Sequence, residues 1–155
     1  MKNLLIELQA PSKQGRLYWK HDPDIDPYLI CLRNPIFRKV AYIINIGGGL
    51  AVLDIDSNHI VKRVEINISK KSWVIEDEFS IICRQLSADL SFPNLLERNN
   101  EIALAVKVTV DSSYQRLNIF IGDDVSYSLC VELSENCFAL VENNYLRGFS
   151  IKMSG

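Results

Sequence analysis

The stretch LAVLDIDSNHIVKRVEINI, residues 50–68, reads as two strands and the turn between them. Leu50–Asp54 and Ile60–Ile68 are apolar, β-branched runs with polar residues interleaved, the pattern of half-buried strands. Asp56-Ser57-Asn58 between them are residues whose short side chains bond their own backbone and tolerate turn conformations. The stretch also imitates a calcium loop: Asp54, Asp56 and Asn58 take the first, third and fifth places and Glu65 the twelfth. The sixth place, where glycine permits the sharp turn, holds His59, and the flanks read as strands instead of helices. An extended strand carries Glu65 roughly 20 Å from Asn58, too far for its carboxylate to close a cage. The reading is therefore a polar hairpin.

Alternation continues on both sides. Toward the N-terminus, Leu4, Ile6 and Leu8 alternate with mostly polar neighbours, Arg16–Lys20 is a strand stopped by His21-Asp22-Pro23-Asp24, and Tyr28–Leu32 ends at Asn34-Pro35. Lys39–Ile46 runs into Gly47-Gly48-Gly49, which lacks the Lys-Ser/Thr ending of a phosphate loop and reads as a turn between buried strands. Toward the C-terminus, Ile102–Val110, Gln115–Ile121, Ser126–Leu133, Cys137–Val141 and Tyr145–Lys152 are strands joined by short polar turns. One region breaks the pattern. From Glu76 to Leu90 the residues Phe79, Ile82, Leu86 and Leu90 recur at steps of three and four, which predicts an amphipathic helix. Glu76-Asp77-Glu78 would complement the dipole in its first turn, and a second short helix is predicted over Pro93–Arg98. The expectation is one domain over residues 1–155, α+β and predominantly antiparallel β, with a helical segment at about 76–98 packed on the sheet.

The two β-rich parts share an order of strand, acidic turn, strand and hairpin, which predicts internal repeats over 16–68 and 116–152. Arg16-Leu17 aligns with Arg116-Leu117, and Tyr28-Leu29-Ile30-Cys31 with Tyr127-Ser128-Leu129-Cys130. Ala51–Asp54 then aligns with Ala139–Glu142, and Val61–Ile66 with Leu146–Ile151. HDPDIDPYLICL at 21–32, followed by LAVLDIDSNHIVKRVEI at 50–66, resembles the small, uncharacterised YuzE-like bacterial proteins, from which the chain departs by the insertion of 33–49. The resemblance, within residues 16–66, implies a β-meander and carries no function with it.

Composition closes off several activities. The chain has 155 residues, 48% hydrophobic and 23% charged, enough to bury roughly two thirds of its extended surface in one core. Seventeen Lys and Arg against nineteen Asp and Glu give a net charge of -2, with no basic stripe for nucleic acid. The most apolar run, Val40–Leu53, is broken by Asn45 and three glycines, short of the ~20 residues of a membrane helix. MKNLLIELQA is too short for a signal-peptide core, so a cytoplasmic protein is expected. Cys31, Cys83, Cys130 and Cys137 lie far apart, with only His21 and His59 available as partners, and are read as buried thiols instead of zinc ligands or nucleophiles. No catalytic, metal or cofactor residue is assigned. The expected function is a non-enzymatic protein-binding module, in its most concrete form an immunity protein or antitoxin that covers a bacterial toxin, using a long β-edge. The candidate contact patches are Asp22, Asp24 and Asp26, and Glu76, Asp77 and Glu78. The competing expectation is a small hydrolase or ligand-binding protein with a pocket between the two β units. The N-terminal strand Asn3–Gln9 has a single charge and no proline. It is expected to pair within the chain or with a second copy as a homodimer.

Overall fold

A computed structural model describes residues 4–10, 16–22, 25–32, 39–68, 73–77, 84–113, 115–122 and 127–152, with 16–22 and 25–32 placed as backbone. In chain order the strands are β1 (Glu7–Gln9), β2 (Arg16–Asp22), β3 (Ile25–Leu32), β4 (Tyr42–Ile46), β5 (Ala51–Ile55) and β6 (Val61–Asn67). They continue with β7 (Trp73–Ile75), β8 (Arg84–Ser87), β9 (Asp89–Ser91) and β10 (Asn99–Ile102). Last come β11 (Val106–Val110), β12 (Arg116–Ile121), β13 (Leu129–Ser134), β14 (Cys137–Glu142) and β15 (Tyr145–Lys152). Sheet I runs β10-β4-β5-β6-β3-β2, sheet II runs β7-β11-β12-β15-β14-β13-β8, and β1 and β9 make a two-stranded ribbon.

The class is all-β, which overturns the α+β expectation: no described residue is helical. Within the predicted helix over 76–90, residues 78–83, including Phe79 and Ile82, lie outside the described residues. Arg84–Ser87 and Asp89–Ser91 are strands, and 93–98 is turn and bend. Leu86 and Leu90 fit a helical step of four, but Leu86, Ala88, Leu90 and Phe92 also alternate, and all four are turned to the core. Pairing decides between the two patterns: β8 lies parallel to β13, β9 antiparallel to β1, and Ser91 bridges Ile60. Backbone ladders to strands distant in sequence override a local period. The sheets are mixed, because β8, β10 and β7 each join an edge in parallel.

One core lies between the sheets. Ile44, Ile46, Leu53, Ile55, Val64 and Ile66 of sheet I meet Val110, Leu117, Ile119, Phe149 and Ile151 of sheet II in a single cluster of buried side chains. Each such side chain contributes roughly 1.5–3 kcal/mol on burial. The N-terminal strand is paired within the chain: β1 lies along β9, Leu5 bridges Tyr145, and Leu4 and Ile6 are buried.

The two sheets repeat one plan. β2-β3-β6-β5-β4 in sheet I and β11-β12-β15-β14-β13 in sheet II have the same order and the same antiparallel pairings. Their irregularities coincide. The β5–β6 ladder slips between Asp54 opposite Arg63 and Ile55 opposite Val61; the β14–β15 ladder slips between Leu140 opposite Gly148 and Val141 opposite Leu146. With those positions matched, Leu29 opposite Ile66 corresponds to Leu117 opposite Ile151, and Leu32 opposite Arg63 to Phe120 opposite Gly148. The aligned pair Val61–Ile66 and Leu146–Ile151 keeps this register. Arg16-Leu17 and Arg116-Leu117 do not, since β2 occupies the place of β11 and β12 that of β3.

The leading strands cross over. Ile6 N–H donates to the Asn144 carbonyl at 2.8 Å, and Phe92 N–H to the His59 carbonyl at 2.9 Å. His59 and Asn144 occupy matching turn positions and both have left-handed backbones, φ 67° and 64°. The segment ahead of β2 therefore closes the β14–β15 hairpin, and the segment ahead of β11 closes the β5–β6 hairpin.

Candidate functional site

Two places on sheet I stand apart from their counterparts on sheet II: the edge at β2 and the outer face of the central strands. In sheet II the matching edge strand, β11, is covered by β7, with Trp73, Val74 and Ile75 opposite Val108, Thr109 and Val110. The cover is fastened at its end. Glu76 N–H donates to the Val110 carbonyl at 3.0 Å, the Lys107 ammonium donates to Glu76 Oε1 at 2.8 Å, and Ser112 N–H donates to Asp77 Oδ1 at 2.7 Å. In sheet I, β2 is outermost, and among the described residues no strand pairs with its second edge.

The acidic residues singled out in the sequence divide between these edges. Asp22 ends β2, opposite Ile25, and Asp26 lies in β3, so both belong to the hairpin at the end of the open edge. Asp24 lies outside the described residues. Glu76 and Asp77 are the clasp that holds β7 to β11, and Glu78 lies outside the described residues. Asp22 and Asp26 are thus brought to one hairpin, away from the internal clasp of Glu76 and Asp77.

The outer face of sheet I carries charges that sequence reading passed over. Asp54 on β5 faces Arg63 on β6, with Arg63 Nε 4.0 Å from Asp54 Oδ2, and the Arg63 guanidinium also pairs with Glu65. Burial, then the negative charge of Glu65, push the Asp54 carboxyl above its ordinary value, and Arg63 pulls it part of the way back. Asn45 Oδ1 and Arg63 Nε are enclosed and have no hydrogen-bond partner among the described residues. Asp54 and Glu65 were visible only as ends of the imitation calcium loop. That they lie on one face follows from the hairpin register, which places Val52 opposite Glu65 and Asp54 opposite Arg63.

The rest of that loop is structural. Asp56 Oδ1 accepts from the N–H groups of Asn58 and Ile60 at 2.9 and 3.0 Å, and Asp56 lies 3.8 Å from the Lys62 ammonium. His59 Nδ1 sits 3.0 Å from the Phe92 carbonyl, with its ring edge-on to Tyr42. Among the described residues no group of three His, Cys, Asp or Glu side chains is arranged to hold a metal.

The outer face of sheet II is closed by its own side chains. Phe120, Cys130 and Leu140 are buried there under Tyr127 and Phe138. Beside them runs a polar ladder: Asn118 Nδ2 donates to Thr109 Oγ1, Ser150 Oγ to Asn118 Oδ1 and Arg116 Nη1 to Ser150 Oγ. Cys130 is disulfide-bonded, which corrects the expectation of a thiol there. Cys137 is buried in the main core. A shallow depression of about 430 Å³ lined by Leu5, Ile6, Glu7, Leu8 and Asn144 lies at the crossing of the leading strand, where Glu7 is the only titratable side chain. Among the described residues no helix is long and apolar enough to cross a membrane. No protein-family model matches the chain, and the search of curated proteins finds no match.

Proposed function

We propose that the protein is a non-enzymatic protein-binding module that takes a partner's strand on the edge of β2, with the acidic hairpin of Asp22 and Asp26 beside it. The observation that carries this reading is the second edge of a seven-residue strand, unpaired among the described residues, whose counterpart, β11, is covered. An exposed edge is a template for another chain, and a folded protein retains one at the risk of aggregation unless it is protected or used. An immunity protein or antitoxin is the most concrete form of such a module, since covering a toxin needs complementary surface and no chemistry. The net charge of -2 and the acidic hairpin suit a basic partner surface.

A cytoplasmic place of action belongs to the same reading, and the disulfide at Cys130 weighs against it, because disulfides persist mainly in oxidising compartments. The competing reading, a small hydrolase, has one observation in its favour: Asp54 and Glu65 are two carboxylates on one half-buried face.

The test is co-expression with the product of the neighbouring gene. A stoichiometric complex that relieves that product's toxicity is expected, and proline at His21, near the end of β2, weakens it at least tenfold without lowering the melting temperature by more than a few degrees. A complex untouched by edge substitutions but lost with Asp54→Asn or Glu65→Gln overturns the edge reading.

A further inference from the structure

We propose that the open edge of β2 binds an extended strand of a partner protein in parallel, with apolar residues opposite Leu17–Trp19 and an acidic residue directly after them. This rests on the strand-addition reading above and adds direction, register and chemistry to it.

The template is β7. Val108 opposite Ile119 corresponds to Leu17 opposite Cys31, and Val110 opposite Leu117 to Trp19 opposite Leu29. The two edges therefore share a frame. In β11 the Val110 carbonyl accepts from Glu76, while Asp111 N–H donates to Arg116 and the Ala105 carbonyl accepts from Gly122. Groups of alternate residues point to opposite sides of a strand, so Val108 and Val110 present their main chain to β7, and Asp111 presents its own to β12. Carried over, Leu17 and Trp19 turn their backbone groups to the open edge of β2, and His21 follows in the alternation of β2 at the register shift between Lys20 and Asp22.

The chemistry carries over as well. Lys107, which receives Glu76, corresponds to Arg16. Ser112, whose N–H is capped by Asp77, corresponds to His21. A strand of the type Trp-Val-Ile-Glu-Asp, as in 73–77, thus finds at β2 the same alternation of donors and acceptors and a basic residue at the matching register position. β7 itself does not compete for β2, because it is held to β11 within its own chain, where its effective concentration is of millimolar order.

The test uses the full chain, labelled with ¹⁵N, and a peptide copying residues 71–78 with a nitroxide at its N-terminus. Expected are shifts and slowed exchange at the amides of Leu17, Trp19 and His21, with broadening strongest toward Arg16, and a several-fold weaker complex when the peptide carries Glu76→Lys. Broadening strongest toward Asp22 means antiparallel addition and overturns the proposal, as does an unshifted β2 at about 1 mM peptide. Slow exchange of these amides in the free monomer shows the edge already covered and overturns both the proposal and the reading beneath it. Protection that appears only as sedimentation reveals a dimer assigns the edge to a second copy, which also overturns it. If the peptide fails while proline at His21 still releases the natural partner, the edge reading stands and the β7-like rule falls.

Discussion

On the outer face of sheet II, Phe120, Cys130 and Leu140 pack under Tyr127 and Phe138, with Gly148 opposite Phe120 and Leu140; the matching positions of sheet I hold Leu32, Ile43, Asp54 and, for Gly148, Arg63. Ser150 is buried and bonded to Asn118, while its counterpart Glu65 is half-buried and paired with Arg63. One backbone plan thus supports an apolar, hydrogen-bonded face and a half-buried, charged one. The edges follow suit: β11 is covered by β7, and among the described residues no strand covers β2.

The largest expected effect breaks the match where it is tightest. A Cβ added at Gly148 would lie 2.0 Å from the Ile119 carbonyl oxygen, so the backbone itself must move. Gly148→Ala is expected to cost more than about 3 kcal/mol in urea unfolding, and Arg63→Ala, at the matching site, about 1 kcal/mol or less. Equal costs at the two sites would show that the shared register does not describe the local packing. Reduction of the disulfide at Cys130 is expected to cost roughly 2–3 kcal/mol, with an intact mass about 2 Da higher after reduction. An unchanged mass would remove the bond from the account of the apolar face.

Next is the polar ladder. Asn118→Val leaves the Ser150 and Thr109 hydroxyls without their shared partner and is expected to cost about 2 kcal/mol, read as a lower urea midpoint at constant slope. The smallest effect sharpens the contrast from the other side. Asp54 is harder to ionise in the folded than in the unfolded chain, so its part of the stability is full below the ordinary carboxyl value near 3.8 and declines as pH rises through the raised value. Asp54→Asn should remove that decline, a gain of under about 1 kcal/mol at neutral pH once solvent screening is allowed for. An identical pH profile in the variant would show that Asp54 ionises freely.

Much of the strand pattern was legible in sequence. Tyr145–Lys152 and the hairpin of 50–68 alternate strongly and are bounded by Asn143-Asn144 and Asp56-Ser57-Asn58, whose conformations suit tight turns. Residues 84–92 were misread because Leu86 and Leu90 satisfy two periods at once, and the choice lies with β13, β1 and Ile60, far away in sequence. The alignment of β2 with β12 failed for a related reason: short alternating strands look alike, and only pairing partners give them places. Of the candidate site, the acidic hairpin was visible as composition. The open edge was not, because openness depends on which strand ends up outermost. Nor was the Asp54–Arg63–Glu65 face, which exists only once the register is set.

The crossing of the leading strands has a consequence for synthesis. Leu4–Ile6 are seated by Asn144–Leu146, so this segment waits for partners made long after it, although the adjoining β1 can pair with β9 sooner. Until residue 146 has emerged, an apolar segment with unpaired backbone stays available to other nascent chains, and closing so long a loop is slow compared with forming a local hairpin. The second leading segment, by contrast, meets a β5–β6 hairpin that is already made when Ser91 and Phe92 appear. The β5–β6 hairpin is therefore closed by a segment made after it, and the β14–β15 hairpin by a segment that has been waiting for it.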